Sequence, residues 1–217
     1  MTTRFKSVFL TLCLIAGSSL AAKADPIPYP NVGVPNPVTY TFTAAATGDV
    51  LAYFAGSTAN YDEQLGMYIN GVLSPNGFGL DDHTSTVGQS FDLGAVTAGD
   101  VLTFAIDVTD PALGLVYSNP ALNTSYDSNG SSGHNHVYST AYTATSPILS
   151  NLPTGTYVAF EDLPFPDSDF NYFDETYVFT DINTTPSSTP EPGTMILMGL
   201  GAAGMAFMRR IKMKKAS

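Results

Sequence analysis

Short runs of alternating apolar and polar residues, broken by Gly, Pro, Asn and Asp, recur from Val38 to Ile182. The clearest is Val101–Val108. Leu102, Phe104, Ile106 and Val108 fall on one side of it, and Val101, Thr103, Ala105 and Asp107 on the other. That period of two is the mark of a half-buried strand. Comparable runs predict strands at Val38–Ala44, Asp49–Phe54, Leu65–Ile69, Val72–Ser74, Gln89–Leu93, Val137–Ala144, Thr156–Phe160 and Thr176–Ile182. Asn70-Gly71, between Met67-Tyr68-Ile69 and Val72-Leu73, is a two-residue hairpin signal, because both central residues of such a turn take positive φ. Pro-rich Asp25–Pro37 reads as an extended lead-in, and Asn119–Asn135, rich in Asn, Ser and Gly, as a long mobile loop. Nothing between residues 25 and 189 sustains a 3.6-residue apolar period. The expected fold is therefore all-β: an antiparallel β-sandwich, jelly-roll-like, over residues 25–183.

The ends follow other patterns. Residues 1–24 have the three parts of a signal peptide: Arg4 and Lys6, the apolar run Val8–Leu20, and Ala22-Lys23-Ala24 before a cut ahead of Asp25. Signal peptidase is the implied partner. Cys13 is the only cysteine, and Leu12 before it is too large for a lipoprotein leader, so the exported part has no disulfide. A Thr/Ser/Pro linker, 184–189, precedes Pro190-Glu191-Pro192, an uncharged run 193–208 and the basic end Arg209-Arg210-Ile211-Lys212-Met213-Lys214-Lys215. As a helix the run measures roughly 24 Å, short for about 30 Å of hydrocarbon but long enough if the flanking Arg and Lys snorkel. The basic flank places the C-terminus in the cytoplasm and the acidic domain outside.

Charge sharpens this picture. Charged residues are 12% of the chain, about half of the usual share of about 25%. All eight Lys and Arg lie before residue 25 or after residue 208, whereas all nineteen Asp and Glu lie between those limits. Nucleic acid is excluded as a partner, since phosphate binding needs Lys and Arg. Each carboxylate of the domain must be solvated, hydrogen-bonded to neutral donors, or held on a cation.

The densest acidic stretch lies between two predicted strands: Glu161-Asp162-Leu163-Pro164-Phe165-Pro166-Asp167-Ser168-Asp169-Phe170-Asn171-Tyr172-Phe173-Asp174-Glu175. Asp167, Asp169 and Asn171 have the 1, 3, 5 spacing that converges oxygens on calcium, which takes six to eight oxygen ligands. Tyr172 stands where an EF-hand has its glycine, and Val178 where it has its bidentate Glu, so the loop is not an EF-hand. Asp174, Glu175, Glu161 or Asp162 would complete the set. A second candidate is His134-Asn135-His136, whose alternate imidazoles on a strand share one face and could take a zinc-type ion with His83 or Asp82. Catalytic signals are weak: there is no Gly-x-Ser-x-Gly elbow, and no spacing singles out a carboxylate pair among Glu63, Glu161, Glu175 and the many Asp. The chain is expected to be non-enzymatic. The alternatives are a carbohydrate-binding module, using residues among Tyr53, Tyr61, Tyr68, Tyr117, Tyr126, Tyr138, Tyr142 and Tyr172, or an exopolysaccharide hydrolase.

Pro190-Glu191-Pro192, the apolar run and Arg209-Arg210 with the following lysines closely resemble the PEP-CTERM sorting signal. That resemblance implies a transient inner-membrane anchor cut near the motif by an exosortase-type protease. It also implies export to the surface or exterior of a Gram-negative cell, and anionic exopolysaccharide as a neighbour. Phe160-Glu161-Asp162 followed by Asp167-x-Asp169-x-Asn171 is similar to an uncharacterised acidic β-domain that often precedes such tails. In that domain the Asn is more often followed directly by Asp, whereas Tyr172-Phe173 intervene here. This second resemblance implies a β-sandwich with calcium binding and a structural or adhesive role.

Overall fold

The computed structural model describes residues 27–127, 133–144 and 152–188. The expected signal peptide with Ala22 and Ala24, and the tail with Pro190, Glu191, Pro192, the expected helix over 193–208, Arg209 and Arg210, lie outside them. The described chain is all-β: β1 (Val38–Ala44), β2 (Gly48–Ser57), β3 (Asp62–Ile69), β4 (Val72–Gly79), β5 (Ser90–Val96), β6 (Val101–Asp110), β7 (Gly114–Tyr117), β8 (Val137–Tyr142), β9 (Gly155–Phe160), β10 (Glu175–Phe179) and β11 (Ile182–Ser188). Among the described residues no helix is long and apolar enough to cross a membrane.

Two antiparallel sheets pack as a sandwich. One runs β11-β1-β6-β3-β4, with β7 also on β6, and the other β5-β2-β10-β9-β8. Alternation fixes which residues meet. On β6, Leu102, Phe104, Ile106 and Val108 are buried in the shared core, facing Val158, Phe160, Tyr177 and Phe179 of the other sheet. Phe104 stacks on Phe179 with ring centroids 4.1 Å apart, aromatic packing that crosses the sandwich. The Asn70-Gly71 turn forms as the sequence predicts, with φ of 50° and 85° and Ile69 opposite Val72.

The sheet containing β10 is covered on its outer face as well. Tyr157, Ala159 and Val178 point away from the shared core into a second cluster with Tyr29, Tyr142, Leu152 and Tyr172. The lead-in supplies the cover, with Asn36 N–H donating to the Tyr172 hydroxyl (2.9 Å) and Asn36 Nδ2 to the Val137 carbonyl (2.9 Å). Burial on both faces explains why every residue of β10 is buried.

Three expectations change. Thr184–Ser188, read as a free linker, belongs to β11 and pairs along the whole of β1, from Ala44 opposite Ile182 to Val38 opposite Ser188. Pro186 is tolerated because β11 is an edge strand, where a missing N–H costs no ladder bond on the open side. Second, the predicted strand Thr176–Ile182 is broken at Thr180-Asp181, where Asp181 takes φ of 61° and the chain passes to the other sheet. Third, the predicted loop Asn119–Asn135 begins with a 3-10 turn, Pro120–Ser125. Its buried Asn123 donates to the Tyr117 and His134 carbonyls and accepts from the Tyr117 N–H.

Candidate functional site

Phe160 at the end of β9 pairs with Glu175 at the start of β10. The loop between them therefore leaves and returns at one place, which brings Glu161, Asp162 and Asp174 together. Asp174 N–H donates to the Phe160 carbonyl (3.2 Å), and Asp162 N–H donates to the Asp174 carboxylate (3.0 Å). Each of the three acids offers an oxygen within 4.8 Å of the others, and all three are buried. Oxygens at that separation fit around one calcium, whose bonds to oxygen are about 2.3–2.6 Å. A cavity of about 200 Å³ leads to this group, lined by Asn60, Tyr61, Asp162, Asp169, Asn171 and Asp174.

The loop backbone is shaped to hold these carboxylates. Phe170 and Tyr172 take left-handed φ of 54° and 55°, uncommon for bulky residues. This turns the Asn171 and Tyr172 amides toward Glu161 Oε2 at 3.1 and 3.5 Å. Glu161 Oε1, also buried, accepts nothing. Asp169 and Asn171 bind each other through Asn171 N–H and Nδ2 at 3.0 and 2.9 Å, and Phe173 N–H donates to Asn171 Oδ1 at 2.6 Å.

Crowding raises the proton affinity of these acids. Burial, then the charges of Asp162 and Glu161, push Asp174 up to about 9. Burial and Asp169 raise Glu161, and burial raises Asp162 against the opposing pull of the Glu63 and Asp174 carboxyl groups. No Lys or Arg lies between residues 25 and 208 to answer this charge. A divalent cation fits the all-oxygen donor set, and binding it would displace protons.

The sequence-based ligand set is thus partly assembled. Glu161, Asp162 and Asp174 converge, and Asp169 and Asn171 line the approach. Asp167 is exposed, its N–H closing a turn onto the Pro164 carbonyl (2.9 Å), and stands outside the group. Glu175 faces inward between the sheets, fully buried.

The histidines do not form the zinc-type site. His134 and His136 both turn to Asp127, at 3.3 and 3.0 Å, and the other nitrogen of His136 meets the Glu161 carbonyl at 2.9 Å. His83 sits elsewhere, against Asp62 and, at 3.6 Å, Asp82. Of the tyrosines, Tyr126, Tyr142 and Tyr172 are buried and cannot form a sugar-stacking platform.

Sequence reasoning named Glu63 only among candidate catalytic carboxylates and Asp82 only as a zinc-type ligand, and did not bring the two together. Glu63 lies on β3 in phase with buried Leu65 and Met67, and its N–H donates to the Asp82 carboxylate (2.9 Å). The signal was available, since extending the alternation of β3 back by one pair places a glutamate on the inner face.

Residues 188–210 match the PEP-CTERM protein-sorting motif. The chain is thus an exported protein sorted to the cell surface by an exosortase, with a β-sandwich ahead of the signal. No curated protein and no solved structure matches it.

Proposed function

We propose that the exported domain is a non-enzymatic structural or adhesive surface protein stabilised by calcium. Glu161, Asp162 and Asp174 hold the ion, and Asp169 and Asn171 shape its approach. One observation carries the reading: three buried carboxylates meet within 4.8 Å of one another in a domain without a single Lys or Arg. Such a group is costly to bury when ionised unless a cation compensates it. Because the ligands are buried, the ion orders the loop between β9 and β10 rather than bridging directly to a partner. Exposed Asp167 and Asp169 remain for weaker, calcium-mediated contact with anionic exopolysaccharide. A leader cut by signal peptidase after Ala24 and exosortase cleavage near Pro190-Glu191-Pro192 deliver the domain to that setting.

Carbohydrate binding is the second reading. It draws support from Asn60 and Tyr61 at the rim of the acidic cavity, and a calcium-dependent signal on a glycan array would favour it.

The test of the leading reading is thermal unfolding in calcium, in magnesium and in chelator at matched ionic strength. Calcium saturating its site about a hundredfold above Kd contributes about 2.7 kcal/mol, which for a domain of this size is a rise in Tm of roughly 5–10 °C. Equal, small shifts with calcium and magnesium would sink the proposal.

A further inference from the structure

Apart from the acidic loop, Asp62, Asp82 and His83 bring a nitrogen and two carboxylates together. Asp62 opens β3, and Asp82 and His83 lie in the connection from β4 to β5. Each offers a ligand atom within 4.8 Å of the others. The connection is folded to present them. Leu80 takes a left-handed φ of 57°, and Asp81 Oδ1 accepts from the N–H of His83 (3.1 Å), the N–H of Thr84 (2.9 Å) and the Thr84 hydroxyl (2.9 Å). Asp82 turns inward, its side chain 0% exposed. Its Oδ1 accepts from the Glu63 N–H at 2.9 Å and its Oδ2 from the Ser57 hydroxyl at 3.3 Å. His83 turns outward, with Nδ1 on Asp62 Oδ1 and Nε2 3.6 Å from Asp82 Oδ2.

That last separation is too long for a hydrogen bond. It is close to the roughly 3.4 Å that separates two ligands of a tetrahedral zinc ion, each bound at about 2.0–2.2 Å. Charge points the same way. No Lys or Arg lies between residues 25 and 208 to answer the buried Asp82 carboxylate. Asp62 stands directly opposite Asp110 of β6, and like charges in that position repel. An imidazole beside two carboxylates suits a transition-type ion, unlike the all-oxygen group of the acidic loop. We propose that His83 Nε2 and Asp82 Oδ2, with Asp62, hold a zinc-type divalent cation that pins the β4–β5 connection to the start of β3. Asp62 is exposed and free to turn its carboxylate from Nδ1 to the ion, and water completes the coordination. The ion takes the place of an imidazole proton. It also supplies a cross-link where no disulfide is available, since the only cysteine, Cys13, precedes the domain. None of Glu161, Asp162 and Asp174 takes part, so this site stands or falls separately from the calcium reading.

The test uses the full-length chain without an affinity tag, purified in detergent, held in saturating calcium, loaded with zinc and freed of unbound zinc. Elemental mass spectrometry should find one zinc per chain, and none after His83→Gln or Asp62→Asn. Both side chains are nearly half exposed, so these replacements leave the core untouched. Asp174→Asn should keep its zinc. Zinc that survives His83→Gln overturns the site, and so does zinc lost in Asp174→Asn alone, which would put the ion in the acidic loop. No zinc on the unmutated chain also overturns it and leaves the group as an ion pair held by a proton. X-ray absorption at the zinc edge of the unmutated protein decides without any variant. The scattering of an imidazole ligand should be present, and a shell of oxygen alone overturns the proposal.

Discussion

The imidazole of His136 is clamped between the Asp127 carboxylate, 3.0 Å from Nε2, and the main-chain oxygen of Glu161, 2.9 Å from Nδ1. Both ring nitrogens are thereby committed to holding the loop, and neither is free for a metal. Asp127 is the hub of this arrangement. It also accepts from the main-chain N–H of His134 (2.7 Å) and of Phe165 (2.9 Å), so one buried carboxylate fixes both flanks of the acidic site. Burial alone would raise Asp127, but His136 and these two amides outweigh it and hold the carboxyl well below the usual range.

Asp127→Asn keeps the shape and removes the charge. Hydrogen bonds to a charged group contribute about 1.5–3 kcal/mol each, and the neutral amide retains part of that. The variant should lose about 2 kcal/mol in urea unfolding and bind calcium more weakly, because Glu161 is positioned through His136. Unchanged stability together with unchanged calcium affinity would show that the hub does not support the site.

Asp174→Asn and Asp167→Asn separate the structural reading of the loop from its sequence spacing. Asp174 converges with Glu161 and Asp162, whereas Asp167 is exposed and outside the group. The calcium-induced rise in Tm should shrink strongly in Asp174→Asn and persist in Asp167→Asn. Loss in Asp167→Asn alone would restore the 1, 3, 5 ligand spacing in place of the geometry described here.

The pH dependence of the metal-free protein should run opposite to that of a salt-bridged one. Burial followed by neighbouring charge raises Asp174 to about 9 and Glu63 to about 12, and raises Glu161, Asp162 and Glu175 in the same direction. Above the ordinary carboxylate value the unfolded chain ionises first, so the folded state binds more protons and loses stability as pH rises. His83, raised by Asp62 and Asp82, acts in the same direction once pH passes its ordinary value of 6.5. Asp127, held low, titrates below this window. Chelated protein should therefore melt at lower temperature at pH 9 than at pH 5, and calcium should narrow the difference by replacing protons. A melting temperature in chelator that climbs from pH 5 to pH 9 would contradict the buried, proton-holding cluster.

Most strands were legible because alternation was strong, as on β6, where Leu102, Phe104, Ile106 and Val108 all entered the core. β11 was not, because Thr184-Thr185-Pro186-Ser187-Ser188 carries no apolar alternation. Its place comes from main-chain pairing with β1. β7 is only four residues long and pairs solely with β6 among the described strands. The acidic loop stood out by its density of carboxylates, and Glu161, Asp162 and Asp174 meet because β9 and β10 are neighbours. Glu63 could not be placed beside them from the sequence, since its nearness to Asp162 depends on how the two sheets stack. The spacing alone could not show that Asp167 is exposed outside the group, or that left-handed Phe170 and Tyr172 turn the Asn171 amide toward Glu161.

β11 reaches Ser188, the last described residue, and the sorting motif is matched from that same residue on. Replacing Pro190-Glu191-Pro192 with Ala-Ala-Ala should leave the sandwich intact and stop processing. Cells should then retain a longer form in the membrane fraction, distinguishable from the processed protein by intact mass. Breaking the β1–β11 ladder should act differently. Thr41→Pro removes an N–H and clashes in a strand flanked on both sides by β11 and β6, so the domain should be destabilised by about 3 kcal/mol or more while the motif is still cut. If Thr41→Pro instead blocked processing as completely as the alanine replacement, the protease would be reading the folded edge of the domain as well as the tail.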